Sequence, residues 1–153
     1  MDSVLLMSAN KTKTAMNHTD LLFHTALKYR YTFSVNGYST MNDNFFPDFM
    51  IESKKIHINE FKEEVFPTIW VYIYEDKNLF ERDENFPIAQ NGEEYFPVFS
   101  LRCREEMFLL EFILSFMIET EGYLLCNVHN RLQTFEELEH YNQVFFRNWA
   151  YLV

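Results

Sequence analysis

Hydrophobic and polar positions alternate most regularly over two stretches of the chain. Leu27, Tyr29, Tyr31, Phe33 and Val35 are interleaved with Lys28, Arg30, Thr32 and Ser34, which predicts a strand over 27–35. From Thr68 to Tyr74 the pattern sets Ile69, Val71 and Ile73 on one face and Trp70, Tyr72 and Tyr74 on the other. The first face reads as core. The second is aromatic, available for cover by the chain itself or by a partner. Another strand is expected from Phe49 to Ile58, with a bulge or a change of exposure where the alternation slips at Lys54-Lys55. Tyr95–Leu101 and Tyr123–Val128 read as further strands, and Gln143–Val153, rich in Val, Phe, Trp and Tyr, as a closing one.

The period changes between 104 and 121. Met107 to Leu110, Phe112 to Leu114 and Phe116 to Ile118 are apolar, leaving a polar line of Arg104, Glu111, Ser115 and Glu119. A helix over Arg104–Glu121 follows, apolar on most of its circumference and needing cover on more than one side. Gly122 is placed to end it in a left-handed conformation. Thr134 and Glu137 have capping-box spacing, which opens a short helix over Phe135–His140.

The segments between are turns and loops. Asn36-Gly37 is a turn signal and Asn42-Asp43-Asn44 a loop. Asn59 is placed to cap a helical turn running to Glu64 and ended by Pro67. Residues 75–94 read as a long loop or hairpin arm anchored by Phe80 and Phe86. Residues 1–20, polar and weakly patterned, read as a loose N-terminal arm or a frayed first element. The fold expected for 1–153 is a single α+β domain. Its mainly antiparallel sheet has four to six strands packed against one long apolar helix, with 68–74, 95–101 and 123–128 at its centre.

Composition narrows the class. Of 153 residues, 48% are hydrophobic and 18% aromatic, too apolar for wholesale disorder. Three Gly and four Pro exclude collagen-like and low-complexity repeats. The apolar run 107–118 is too short to span a bilayer, and the first residues lack the positive flank and long apolar core of an export signal. Two widely spaced cysteines make no disulfide framework, so a reducing, cytoplasmic setting is expected.

Charge changes the picture more. The net charge is −10, and the imbalance lies almost wholly in residues 59–153, where eighteen acids face seven bases. Between Glu60 and Glu94 ten acids face three bases, threaded with Phe61, Phe66, Trp70, Tyr72, Tyr74, Phe80 and Phe86. With no basic cluster larger than Lys54-Lys55, direct binding to nucleic acid or to anionic membrane is disfavoured. Acids that steer and aromatics that anchor suit a basic protein partner instead. The candidate contact residues are Tyr72, Tyr74, Glu75, Asp76, Glu81, Asp83 and Glu84. The plainer alternative is a solubilising surface over an aromatic-rich core.

Candidate catalytic chemistry is sparse. Cys126-x-x-His129 is half of a metal-ligand pattern, but a structural zinc site needs four ligands and the other cysteine, Cys103, stands alone. Cys103, between Arg102 and Arg104 near a helix start, has the better electrostatics for a reactive thiol; Cys126 lies in an apolar strand. Both read as buried structural cysteines. Adjacent carboxylates such as Glu105-Glu106 diverge around a helix and are better explained by its dipole. No phosphate-binding glycine loop, hydrolase elbow or metalloprotease motif is present. The expectation is a protein with no catalytic residues, metal or cofactor.

Strand, long apolar helix and closing strand over Tyr95–Asn130 resemble a bacterial toxin-immunity protein, in about a quarter of the chain. Glu105-Glu106-Met107-Phe108-Leu109-Leu110-Glu111-Phe112 opens the helix and Gly122-Tyr123-Leu124-Leu125 leaves it. The resemblance implies a cytoplasmic protein that binds a cognate toxin, often a basic nuclease, and blocks it without catalysis. Two other classes compete: an acidic mimic of nucleic acid, which would need fewer aromatics, and a small enzyme, which would show a pocket holding one strongly perturbed carboxylate or thiol.

Overall fold

The computed structural model describes residues 3–10, 12–41, 44–74 and 86–153. Val4–Ser8 forms the first strand, β1, with Val4, Leu6, Met7 and Ser8 buried. It lies between two antiparallel neighbours, pairing Leu6 with Phe99 on one side and with Leu125 on the other. The expected loose arm is therefore corrected: this segment is inside the sheet. Its run of apolar residues is buried on both faces, so it lacks the alternation that marks a half-buried strand.

Helix α1, Ala15–Lys28, is opened by Thr14, whose hydroxyl accepts from the Asn17 amide at 3.2 Å while the Asn17 side chain accepts from the Thr14 amide at 3.0 Å. His18, Leu22, Thr25 and Ala26 are its buried face. Leu27 and Lys28 belong to this helix, so the strand expected from 27 begins only at Thr32, after a turn in which Arg30 has φ +61°.

Strands β2 (Thr32–Met41) and β3 (Asn44–Glu52) form a long hairpin. The expected Asn36-Gly37 turn is instead within β2, where the register slips between Val35 and Gly37 as at a bulge. The slip at Lys54-Lys55 does end a strand. Ser53 accepts there from the Lys55 amide at 3.1 Å, and the chain then enters β4 (His57–Ile58) and β5 (Glu64–Val65), a separate two-stranded hairpin. Asn59 organises its loop, its side-chain oxygen accepting from the amides of Phe61 and Glu63 at 2.9 Å each. With Lys62 at φ +61° this is a hairpin loop in place of the expected helical turn.

Strand β6 (Thr68–Ile73) follows, then β7 (Ile88–Gln90) and β8 (Glu93–Arg102). Asn91 and Gly92, at φ +52° and +80°, turn β7 into β8 as a two-residue hairpin. Helix α2 (Glu106–Glu119), β9 (Tyr123–Cys126), β10 (Leu132–Gln133) and helix α3 (Phe135–Gln143) complete the regular elements. Gly122, at φ +84°, shapes the turn into β9 and stands beyond the cap residue Thr120, which is extended. Thr134 caps α3 by accepting from the Glu137 amide at 3.3 Å.

The strand order is β10-β9-β1-β8-β6-β3-β2 with β7 on β8, and every described pairing is antiparallel. The α+β class and antiparallel sheet stand. The described residues form ten strands where four to six were expected, and three helices with α1 as long as α2, where one long helix was expected. The extra strands are short or fully buried, and α1 carries its apolar face among polar neighbours.

Helix α2 fills the core, with Phe108, Leu109, Leu110, Phe112, Ile113, Phe116 and Met117 buried. Its second side is covered by α1 and α3, and Tyr31 meets Phe108 and Phe112 edge-on at 5.5 and 5.6 Å. Arg104, Glu111 and Glu119 are exposed, as the polar line predicts. The expected closing strand at 143–153 is absent. Phe145 has φ +52°, and Trp149–Tyr151 is a 3₁₀ turn that buries Trp149 and Ala150. Buried polar side chains hold it: Asn127 donates to the Leu152 carbonyl at 2.6 Å and Gln133 to the Trp149 carbonyl at 3.1 Å. Among the described residues no helix is long and apolar enough to cross a membrane.

Candidate functional site

The register of β6 fixes which side chains share a face. Val71 aligns with Leu101, Val4 and Phe49, all in the core. Trp70 and Tyr72 therefore stand on the opposite face, Trp70 between Met50 and Arg102 and Tyr72 beside Ser100. One half of that face is covered. Met7, Cys126 and Leu132 form a small second core closed by Leu5, Phe86, Ile88, Tyr95 and Leu124. On β6 itself Trp70 is 37% exposed, with Tyr72 and Tyr74 half-buried. Tyr74 stays tied to β8, its amide donating to Val98 at 2.9 Å. The other candidate contacts, Glu75, Asp76, Glu81, Asp83 and Glu84, lie outside the described residues.

The two thiols are turned inward. Cys103 is buried and donates to the Glu105 carbonyl at 3.4 Å, and burial pushes its pKa up to about 12. Arg102 and Arg104, which favoured a reactive thiol in the sequence, are exposed. Burial likewise pushes the Cys126 thiol up to about 11. Both are suppressed as nucleophiles by desolvation of the thiolate. The Cys126–His129 spacing is accounted for by Asn127, whose side-chain oxygen accepts from the amides of His129 and Arg131 at 3.0 Å each. Among the described residues no three His, Cys, Asp or Glu side chains are grouped to hold a metal ion.

A cleft of about 750 Å³ opens where three distant segments meet: the β4–β5 hairpin, residues 104–108 at the start of α2, and Arg147 with Asn148. Its charged groups are Glu60, Glu63, Glu105 and Glu106 with Arg104 and Arg147. Arg147 reaches Glu60 at 3.6 Å. The Glu105 side chain makes no capping bond at the helix start. Burial, and then the Glu60 carboxylate, raise the Glu106 carboxyl above its ordinary range, with Arg147 opposing. Behind the lining, the buried Trp149 indole donates to the Glu106 carbonyl at 3.3 Å. His57 meets Phe108 edge-on at 5.4 Å, its Nε2 lying 3.2 Å from the Ser53 hydroxyl. On the rim, Ile58 is 64% and Phe61 72% exposed.

This cleft is not legible in the sequence. The helix dipole alone accounts for Glu105-Glu106, and Glu60 and Arg147 each lie more than forty residues away along the chain. Asn59 before the acidic pair Glu63-Glu64 was the only local signal, since it builds the loop that forms one wall. No protein-family model matches this chain, and neither does a curated protein or a solved structure.

Proposed function

We propose that this is a non-catalytic protein-binding module of the cytoplasm, an immunity protein that neutralises a basic toxin. The observation that carries the reading is the concentration of charge. Residues 59–153 hold eighteen acids against seven bases, and the same stretch of sequence carries the β6 aromatics, of which Trp70 is 37% exposed. Such a surface accelerates encounter with a basic protein and anchors it on contact. The desolvated thiols support a binding role over nucleophilic chemistry.

The contact surface proposed from the sequence is Tyr72 and Tyr74 with Glu75, Asp76, Glu81, Asp83 and Glu84. Co-expression with the product of the neighbouring gene tests the reading. The expected result is that the neighbour arrests growth alone, that this protein restores growth, and that the two copurify. A neighbour that is harmless alone, or harmful with and without this protein, contradicts the immunity reading.

A further inference from the structure

We propose that the cleft between the β4–β5 hairpin and the start of α2 receives a basic, partly apolar segment of a partner protein. Glu63, Glu105 and Glu106 would meet its lysine or arginine heads, and Phe61 and Ile58 its apolar side chains. The proposal rests on the binding-module reading above and gives that reading a second contact surface.

The cleft is the right size for one or two long side chains: about 750 Å³ lies within the range of pockets that enclose small guests. Four carboxylates face two guanidiniums around it, and one of those, Arg147, is already engaged by Glu60. Charge complementarity therefore selects a cation. An anion would approach the positive end of α2 only to meet Glu105 and Glu106, which already answer that end of the helix dipole. The rim is apolar where a merely solvated hairpin would be polar, with Phe61 and Ile58 exposed beside the acids. An aromatic ring next to carboxylates suits the stem and head of arginine or lysine. The raised Glu106 carboxyl fits the same account: partial burial and the Glu60 carboxylate both disfavour its charged form, and an incoming cation would favour it.

The test uses the full chain, ¹⁵N-labelled, titrated at low salt with a short peptide of alternating arginine and leucine. The chain has two indoles, and they report on different places: Trp149, buried behind the lining and bonded to the main chain of Glu106, and Trp70 on the far sheet face. The peptide should shift the Trp149 indole resonance and leave that of Trp70 in place. Replacing Glu63, Glu105 and Glu106 by Gln should weaken binding about tenfold or more. Replacing Glu121, Glu136 and Glu139, exposed and outside the cleft, removes the same charge and should weaken it less than about threefold. Equal losses in the two variants, a shift at Trp70 alone, or no binding to either indole's surroundings overturns the cleft. If the peptide is lost only on reversal of Glu81, Asp83 and Glu84 to Lys, the cleft fails and the binding-module reading stands. If a verified basic partner ignores both sets of changes, both readings fail.

Discussion

The indole of Trp149 donates to the main-chain carbonyl of Glu106 at 3.3 Å, joining the last turn of the chain to the first turn of its most apolar helix. The main chain at Glu106, a residue that lines the cleft, is thereby tied to Trp149, which is 0% exposed although it lies four residues from Val153. Removing it should open a large cavity. Trp149→Ala is expected to destabilise by about 3–5 kcal/mol. Trp70→Ala, on the partly open face of β6, should cost less than about 1.5 kcal/mol. Urea unfolding of the two variants checks the contrast, and comparable losses would contradict the assignment of faces.

Helix α2 is covered on both sides, so its interior positions should be costly to truncate. Phe112→Ala and Ile113→Ala, at 0% exposure, are each expected to lose about 2–5 kcal/mol. Ile118→Ala, at 64% exposure on the same helix, should lose under about 1 kcal/mol. Losses below about 0.5 kcal/mol at both core sites would mean that this face is exposed.

His18 gives the fold a defined response to acid. Its Nδ1 is hydrogen-bonded to the buried hydroxyl of Tyr123, and burial, then Lys13, lower its pKa to about 4 from the ordinary 6.5. The unfolded chain takes up its proton first as the pH falls. Stability from this group is therefore present above pH 6.5, declines between about 6.5 and 4, and levels off below; the full shift corresponds to about 3 kcal/mol. His18→Gln should flatten the stability profile between pH 7 and 5. An unchanged slope in that variant would assign the acid response to other groups.

The helix starts should also be separable. Thr14 and Thr134 each cap a helix through the hydroxyl, and alanine at either is expected to cost about 1 kcal/mol. Serine should recover most of it. Equal stability of the alanine and serine variants would mean that the caps contribute nothing.

These features differ in how plainly the sequence announces them. The α2 stripe, the two faces of β6 and the Thr134 cap are local patterns, each set by residues within a turn or two of one another. Strand β1 is different, because Val4, Leu6 and Met7 are buried by partners at 97–101 and 124–126 and their own neighbours carry no period. Residues 143–153 have strand-like composition, yet Asn127 and Gln133 hold their carbonyls and no ladder does. Likewise Tyr72 could be placed on an aromatic face from alternation. The cleft could not, since its walls are brought together only by folding.

The central claim is that the acidic half of this chain binds a basic protein, and the association rate measures it most directly. Against the verified partner, raising salt should slow association of the wild type far more than it speeds dissociation. Reversing Glu81, Asp83 and Glu84 to Lys should lower the association rate at low salt and flatten its salt dependence, with the fold intact by circular dichroism. Truncating Tyr72 and Tyr74 should act mainly on dissociation. Association rates that are equal for wild type and triple variant at every salt concentration would contradict the claim.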